Sequence, residues 1–514
     1  MTLLLGLDIG TTSIKAQLYD AEIGRIADIA SRPTPVEHPT PERSQHDPET
    51  LWQTVASCVR EVAPGRSIAG IGVSCFAEAG LPVDAAGSPL YPIIAWYDRR
   101  TEPQTAWWEA RLSADELHAI TGQRVSPSFG VNKWLWIRRN EPAVVARTAK
   151  WLSVSDYVLW HLTGEYATDY TMASRTLLLD QRKLGWSQEM LALAGLDARQ
   201  LPDVLSSGTS IGTVTCQAAA VTGLRVGTPC VLGGHDHLCA ALAAGGARSG
   251  TVIDSSGTAQ ALMVVLPAFH TSPWIADHGY ACYAHVVPGQ YVLKGGLKAM
   301  GGAIEWLTRQ LAGPDVGAGR LPYAELEEAA KVGVGRRVGP LWLPHLIGSG
   351  TPESDRHSRA ALLGVQIEHD RGDLFRGLLE SLAFWMRHNL EDMASLTGEP
   401  ARDVTLLGGT TRLTLLTQMK ADVLNLPVSI SNVPQAAATG AALLAGLGTG
   451  LFATPEAALD SLRYDHTVIT PNAEWAEWYG HLYEEVYRRL YSSVRDVHHS
   501  LERISARVSA QERS

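Results

Sequence analysis

The sequence predicts an α/β protein of two related domains facing each other across a central cleft, and three observations predict it. The chain has 514 residues, more than one hydrophobic core ordinarily organises. Two distant stretches share one plan: an apolar run, an aspartate, a small-residue turn containing Gly-Thr, and a second apolar run. The plan occurs at Asp8-Ile-Gly-Thr-Thr12 and again at Asp254-Ser-Ser-Gly-Thr258. Between them, glycines crowd at Gly245, Gly246 and Gly250, the composition of a boundary. We place a first domain at residues 1–248, a second at 249–450, and a helical extension packed on the second at 451–514.

The elements follow in order. Leu3 to Asp20 reads strand, tight turn, strand. A helix is expected from His46 to Val62, with Asp47 as N-cap and Pro48 at its first position. Leu51, Val55, Val59 and Val62 form its apolar face. An apolar strand at Ile68 to Cys75 comes next, then a turn at Asp84 to Gly87 and helical patterns from Thr101 to about Leu162. The strand Thr228 to Gly234 runs into a helix through His235, Asp236 and His237. Thr251 to Val265 repeats the opening hairpin, and Val404 to Gly409 is a buried-type strand before a helix at Thr414 to Leu424. Pro471 to Ser505 is expected as one amphipathic helix, with Trp475, Tyr479, Leu482, Val486 and Leu490 on its packing face.

Composition narrows the function classes. Charged residues are 19% and hydrophobic residues 45%, and the net charge is −10, which counts against nucleic acid or an anionic membrane as partner. Six cysteines without a CxxC pair are expected as free, mostly buried thiols in a reducing compartment. Met1 runs directly into an apolar strand without a basic leader. The longest nearly apolar stretch, Ala436 to Leu447, is too short to span a bilayer. The expected location is cytoplasmic, and self-association as a homodimer is compatible with all of this.

The two turns carry the chemistry. There is no GxxxxGK[ST] loop, so a phosphate must be held another way. A hairpin turn of glycine and threonine does so: glycine lets backbone N–H groups approach, and threonine hydroxyls add donors. Asp8, Gly10, Thr11, Thr12 and Lys15 make one such turn, and Gly257 with Thr258 the other, so that two turns can bracket a triphosphate. Asp236, where a strand meets a helix, is the candidate proton acceptor. It also reads as a helix N-cap, and a helix N-terminus favours the ionised carboxylate that a base must be. The flanking histidines lack the further convergent ligands of a zinc-type site. His237 is the better candidate for bonding a polyol, and His235 for a structural role. Gly301, Gly302, Gly408 and Gly409 sit before helices, where backbone N–H groups can meet a phosphate tail or an adenosine.

These pieces, in this order, resemble the FGGY family of carbohydrate kinases, within the larger actin, hexokinase and Hsp70 ATPase class. The resemblance covers roughly residues 3 to 450. It rests on the Asp8 turn, on the stretch from Asp84 to Arg100 that contains Trp96 and Asp98, and on Gly234 to Asp236. It rests also on Lys133 to Asn140 and on Ala360 to Glu380, where Gly130 and Gly377 depart from the usual residues. The resemblance implies two ribonuclease-H-like domains, with ATP mainly on the second and Mg²⁺ between phosphate and protein. Asp236 is then the general base and Asp8 the Mg²⁺-side carboxylate, acting through water, with Asp236 as a second metal-side candidate. Thr11, Thr12, Gly257 and Thr258 would hold phosphates, Gly301 or Gly302 would lie near them, and Gly408 and Gly409 would border adenosine.

The substrate implied is a small sugar or polyol held by Ala77, Glu78, Trp96, Asp98, Ser128, Asp236 and His237. Glycerol-specific members carry Arg-Glu where Ala77-Glu78 stands, Tyr in place of Ser128 and Gln in place of His237, which speaks against glycerol. The small Ala77 and Ser128 leave room for a five- or six-carbon ketose. Xylulose is the default, with fuculose, ribulose, gluconate and erythritol open. A sugar-responsive binding protein without catalysis is the reading of another class, and intact phosphate turns with Asp236 weigh against it.

Overall fold

The run Leu3–Ile9 is buried at all of its positions, as a central strand covered on both faces must be. In the computed structural model, which describes residues 2–312, 322–333, 338–398 and 400–511, it lies inside a six-stranded sheet. It pairs antiparallel with Ser13–Asp20 across the predicted turn, and parallel with Ile68–Cys75. Arg25–Pro33 lies beyond the one, and Pro229–His235 with Ser210–Thr213 beyond the other. The second sheet repeats this order. Its centre, Thr251–Ser256, is antiparallel to Gln260–Leu266 and parallel to Asp403–Leu407. Tyr291–Leu297 and Val428–Ser431 lie outside these two. Three antiparallel strands joined to two parallel ones, twice over, is the two-domain α/β architecture expected from the repeated hairpins.

Local chemistry explains the elements that matter for the cleft. Asp47 caps the helix Pro48–Val62 by accepting from the Thr50 amide, and Leu51, Val55, Val59 and Val62 are buried. A smaller sheet, containing Arg43–His46, Gly80–Val83, Ile93–Ile94 and Lys150–Ser153, holds the segments that carry Glu78, Trp96 and Asp98 beside the first domain's turn. The helix Ala436–Gly448 packs on Leu3–Ile9 and Ile68–Cys75 of the first sheet. Gln17 donates to Thr439 there at 2.8 Å. The small residues of that apolar stretch therefore serve close helix–sheet packing.

The expected C-terminal helix is two. Ala473–Glu485 ends at Val486, a 3₁₀ turn covers Tyr487–Arg489, and a second helix runs Leu490–Gln511. Tyr483 and Tyr487 both lie against Phe384, with ring centres 6.0 and 5.1 Å away, and Val486 at the break is 44% exposed. Five of the six thiols are buried and all are free. Among the described residues no helix is long and apolar enough to cross a membrane.

Candidate active site

A cavity of about 1080 Å³ is lined by Arg175 and His237 of the first domain and by Gly257, Thr258 and Lys294 of the second. In the first turn the Gly10 amide donates to the Ser13 carbonyl at 3.1 Å. The Thr34 hydroxyl donates to the Gly10 carbonyl at 2.6 Å, while Thr11 and Thr12 are exposed. Trp96 donates its indole N–H to the Thr11 hydroxyl at 3.0 Å. Trp96 thus braces the Asp8–Ser13 turn, a role the sequence reading did not assign to it.

The second turn is braced from behind. The amides of Gly301 and Gly302 donate to the carbonyls of Gly257 and Thr258, both at 3.1 Å. The expectation that these two glycines present free N–H groups to a phosphate is therefore corrected: their donors are used to hold the Gly257–Thr258 turn. A Cβ on Gly301 would lie 2.3 Å from the Gly257 carbonyl oxygen, and one on Gly408, at φ +101°, 2.3 Å from that of Ser256. Gly408 is thus required by packing, whereas Gly409 has open space beside it.

The two aspartates of the repeated hairpin differ. Asp254 is fully buried and saturated. It accepts from Lys420 at 2.5 Å and from Ser256 and Gln260, each at 2.7 Å. Asp8 pairs with Lys15, at 3.3 Å, through one oxygen, with the Ser74 hydroxyl also acting on it, and its buried Oδ1 has no partner within hydrogen-bond distance among the described residues. Burial, partly offset by Lys15, lifts its carboxyl to about 6. An unsatisfied buried carboxylate oxygen fits a hard cation or its water.

Asp236 is the first residue of the helix Asp236–Ala243, one position inside the cap, which is His235. Thr171 positions it: its hydroxyl accepts from the His235 amide at 2.8 Å and bonds the buried Asp169. Burial pushes the Asp236 carboxyl up to about 7, against the His237 amide that donates to it at 2.7 Å; Glu78 raises it further, and Lys294 and Lys15 lower it. Burial holds His237 neutral, at about 4, and depresses His235 as well. Ligand atoms of His235, Asp236 and His237 lie within 4.8 Å of one another, closer together than the sequence reading allowed. Two imidazoles are nevertheless poor donors for Mg²⁺, which takes oxygen.

The comparisons with known proteins match this geometry. The models for the N-terminal and C-terminal domains of the FGGY family of carbohydrate kinases match residues 3–243 and 254–449. The chain belongs to the FGGY family of carbohydrate kinases. It is 30% identical to an L-fuculokinase of Escherichia coli K12 over 477 residues, 92% of this chain and 98% of that one. It is 32% identical to a glycerol kinase of Gloeobacter violaceus over 468 residues, 87% and 88% of the two chains. A xylulose kinase structure from Rhodospirillum rubrum superposes with a TM-score of 0.88 at 31% identity, covering 97% and 100%. This FGGY kinase is therefore an enzyme, and kinases of the family use ATP.

Within the kinase, the expected sugar contacts divide. Glu78 faces the site from a left-handed backbone, φ +70°, an uncommon conformation for a non-glycine residue that often marks a functional position. Its carboxylate is held by Arg175, whose Nε donates at 2.8 Å and whose Nη2 also bonds it. Arg175 also donates to Gln123 at 2.9 Å and lies 4.7 Å over the Phe129 ring. Asp98, expected at the sugar, is instead turned inward. Arg100 donates to both of its oxygens at 2.8 Å, and the Ser44 amide donates at 2.6 Å, so no acceptor is left for a ligand. Ala77 is buried. Ser128 shares a hydrogen bond with Ser126 at 3.0 Å, and its carbonyl accepts from the buried Lys133.

Sequence reasoning missed Arg175, Lys294 and Gln123. A signal existed for two of them. Arg175 and Lys294 are charges set inside apolar runs, MASRTLLL and YVLKGGL, and a charge inside such a run needs a partner or a ligand.

Proposed function

We propose that this kinase transfers the γ-phosphoryl group of ATP to a hydroxyl of a five- or six-carbon sugar or polyol, with a ketose such as xylulose as first candidate. Fuculose, ribulose, gluconate and erythritol are the alternatives. The observation that carries the reading is Asp236. Its buried carboxyl sits near 7, raised by Glu78 and lowered by Lys294 and Lys15, and it raises the Asp8 carboxyl in turn.

The chemistry follows from that placement. Phosphoryl transfer needs an in-line hydroxyl, an acceptor for its proton, and donors for phosphate charge. Glu78, fixed by Arg175, accepts from substrate hydroxyls, and neutral His237 offers a further hydrogen bond. Asp236, with a pKa near ambient pH, takes the hydroxyl proton as the oxygen attacks. Thr11 and Thr12 on one side, and the Gly257–Thr258 backbone on the other, donate to the phosphates, with the open space at Gly409 for adenosine. Asp8, with Asp236, would hold Mg²⁺ or its water, and the cation would neutralise phosphate charge. Closing the cleft excludes the water that would otherwise hydrolyse ATP.

The test is ADP release with a panel of ketoses, polyols and sugar acids, ranked by kcat/KM. Turnover confined to glycerol would overturn the pocket reading. Ligand-dependent stabilisation without ADP would overturn the reaction.

A further inference from the structure

Gln123 follows the left-handed Gly122, which ends the helix Ala114–Thr121. Cys282, on the strand Ala281–Ala284 of the second domain, donates its amide to the Gly122 carbonyl at 2.8 Å. A side chain at Gly122 would collide with the Cys282 carbonyl. The segment is therefore pinned to the second domain. Gln123 itself is 1% exposed and lines the cavity with Arg175 and His237.

Its side-chain amide is half used. Oε1 accepts from the Arg175 Nη1 at 2.9 Å. A guanidinium only donates, so this contact decides which end of the amide faces it and leaves Nε2 as the other end. Nε2 is buried and, among the described residues, has no hydrogen-bond partner. A buried donor without an acceptor is costly and rare in a native chain, and in the wall of a cavity a ligand can supply the acceptor. The neighbours point to the ligand. Arg175 also clamps Glu78, the acid that the kinase reading gives to substrate hydroxyls, and the Asp236 charge acts on Arg175. An ionised Glu78 only accepts, and Nε2 only donates, so together they suit a molecule that offers both kinds of group. A run of sugar hydroxyls does so.

We propose that Gln123 is a specificity-determining residue of the sugar pocket: Arg175 holds one end of its amide, and Nε2 donates a hydrogen bond to one oxygen of the sugar, hydroxyl or carbonyl. The proposal rests on the kinase reading above and deepens it. A site built to bond a substrate oxygen rejects the analogue lacking that oxygen, because its own polar group is left unpaired.

The experiment compares the wild-type enzyme with Gln123→Glu and Gln123→Met. Gln123→Glu keeps an acceptor for Arg175 and removes only the donors, whereas Gln123→Met removes both. ADP release is measured with xylulose, ribulose and fuculose, and for the best of these with its monodeoxy analogues and its alditol. Binding of the same sugar is titrated calorimetrically without ATP. Both variants should raise KM for the sugar by about 5- to 100-fold, the worth of a buried group left unpaired, with KM for ATP changed less than about twofold. The analogue lacking the contacted oxygen should lose that factor on the wild type and less than about threefold on Gln123→Met. Wild-type sugar kinetics in Gln123→Glu would leave Gln123 as a prop for Arg175 and overturn the proposal. A rise in KM for ATP in place of the sugar would assign Nε2 to a phosphate oxygen and overturn it too. So would a panel in which no analogue's penalty disappears with the side chain. If no compound yields ADP, the titration separates the two readings. Sugar binding that weakens in both variants keeps the contact without the reaction; binding that is absent or unchanged sinks both.

Discussion

Arg175 and Glu78 form an ion pair, each side chain at most 12% exposed, and Glu78 acts in turn on the buried Asp236 carboxyl. A free glutamate there would be a mobile acceptor near a base of the same charge. Clamped by a guanidinium, Glu78 keeps its orientation, and part of its repulsion on Asp236 is cancelled.

Removing one partner should be worse than removing both. Arg175→Met leaves a desolvated carboxylate and should cost about 3–5 kcal/mol of unfolding free energy. Glu78→Gln combined with Arg175→Met should recover most of that stability while sugar turnover stays low. Denaturant unfolding and ADP release on the four members of this cycle check it; full additivity of the two losses would contradict a direct pair.

Asp236→Asn should lower kcat by about 10²–10⁴-fold and leave ATP binding within a factor of about two. Isothermal titration of the variant with ATP, beside steady-state kinetics on the best sugar, separates the two effects. Near-normal turnover would remove Asp236 from its role.

The pH dependence follows from the raised carboxyl. The base works ionised, so kcat/KM should fall as pH drops through about 7, the folded value for Asp236. Stability runs the other way. A folded pKa above the ordinary aspartate value of 3.8 means the native state holds the proton longer, so this group's stabilisation is complete below 3.8 and lost as pH rises through about 7. Asp236→Asn should therefore melt higher than the wild type at pH 8, and the gap should close toward pH 4. A gap that widens on acidification would reverse the sign and the argument.

Gly301→Ala places a methyl 2.3 Å from the Gly257 carbonyl oxygen, and the second turn must move. KM for ATP should rise several-fold, with sugar-dependent protection against unfolding retained. A changed sugar affinity at constant KM for ATP would mean that this turn does not serve the nucleotide.

Lys420→Met should act on stability alone. It strips Asp254 of its cation in a fully buried site, a loss of about 3–5 kcal/mol readable as a lower melting temperature. The equivalent change at Lys15, which pairs with the half-satisfied Asp8, should cost less stability and more turnover.

Much of the cleft was legible in the residues. The hairpin turns at Asp8 and Asp254, the strand-to-helix junction at Asp236 and the cap at Asp47 are encoded by neighbours a few positions apart, and local rules read such spacing. Asp98 and Arg175 were not legible in the same way. Asp98 belongs to a stretch the family resemblance points to, yet its oxygens are used by Arg100 and Ser44. Arg175 comes 97 residues after its partner Glu78, and nothing local to either joins them. The end of the chain was also misjudged: the stripe from Trp475 to Leu490 has one helical period, but the backbone breaks at Val486 between two helices.

The amino-acid order by itself determined the two hairpins, their Gly-Thr turns and the strand-to-helix junction at Asp236, because each is written within one short segment. Only the tertiary structure decided which aspartate of the matched turns keeps an unpartnered oxygen and which acid is clamped. Those outcomes depend on burial and on charges brought together from both domains, and desolvation and Coulomb energy belong to the folded neighbourhood, which no local spacing contains.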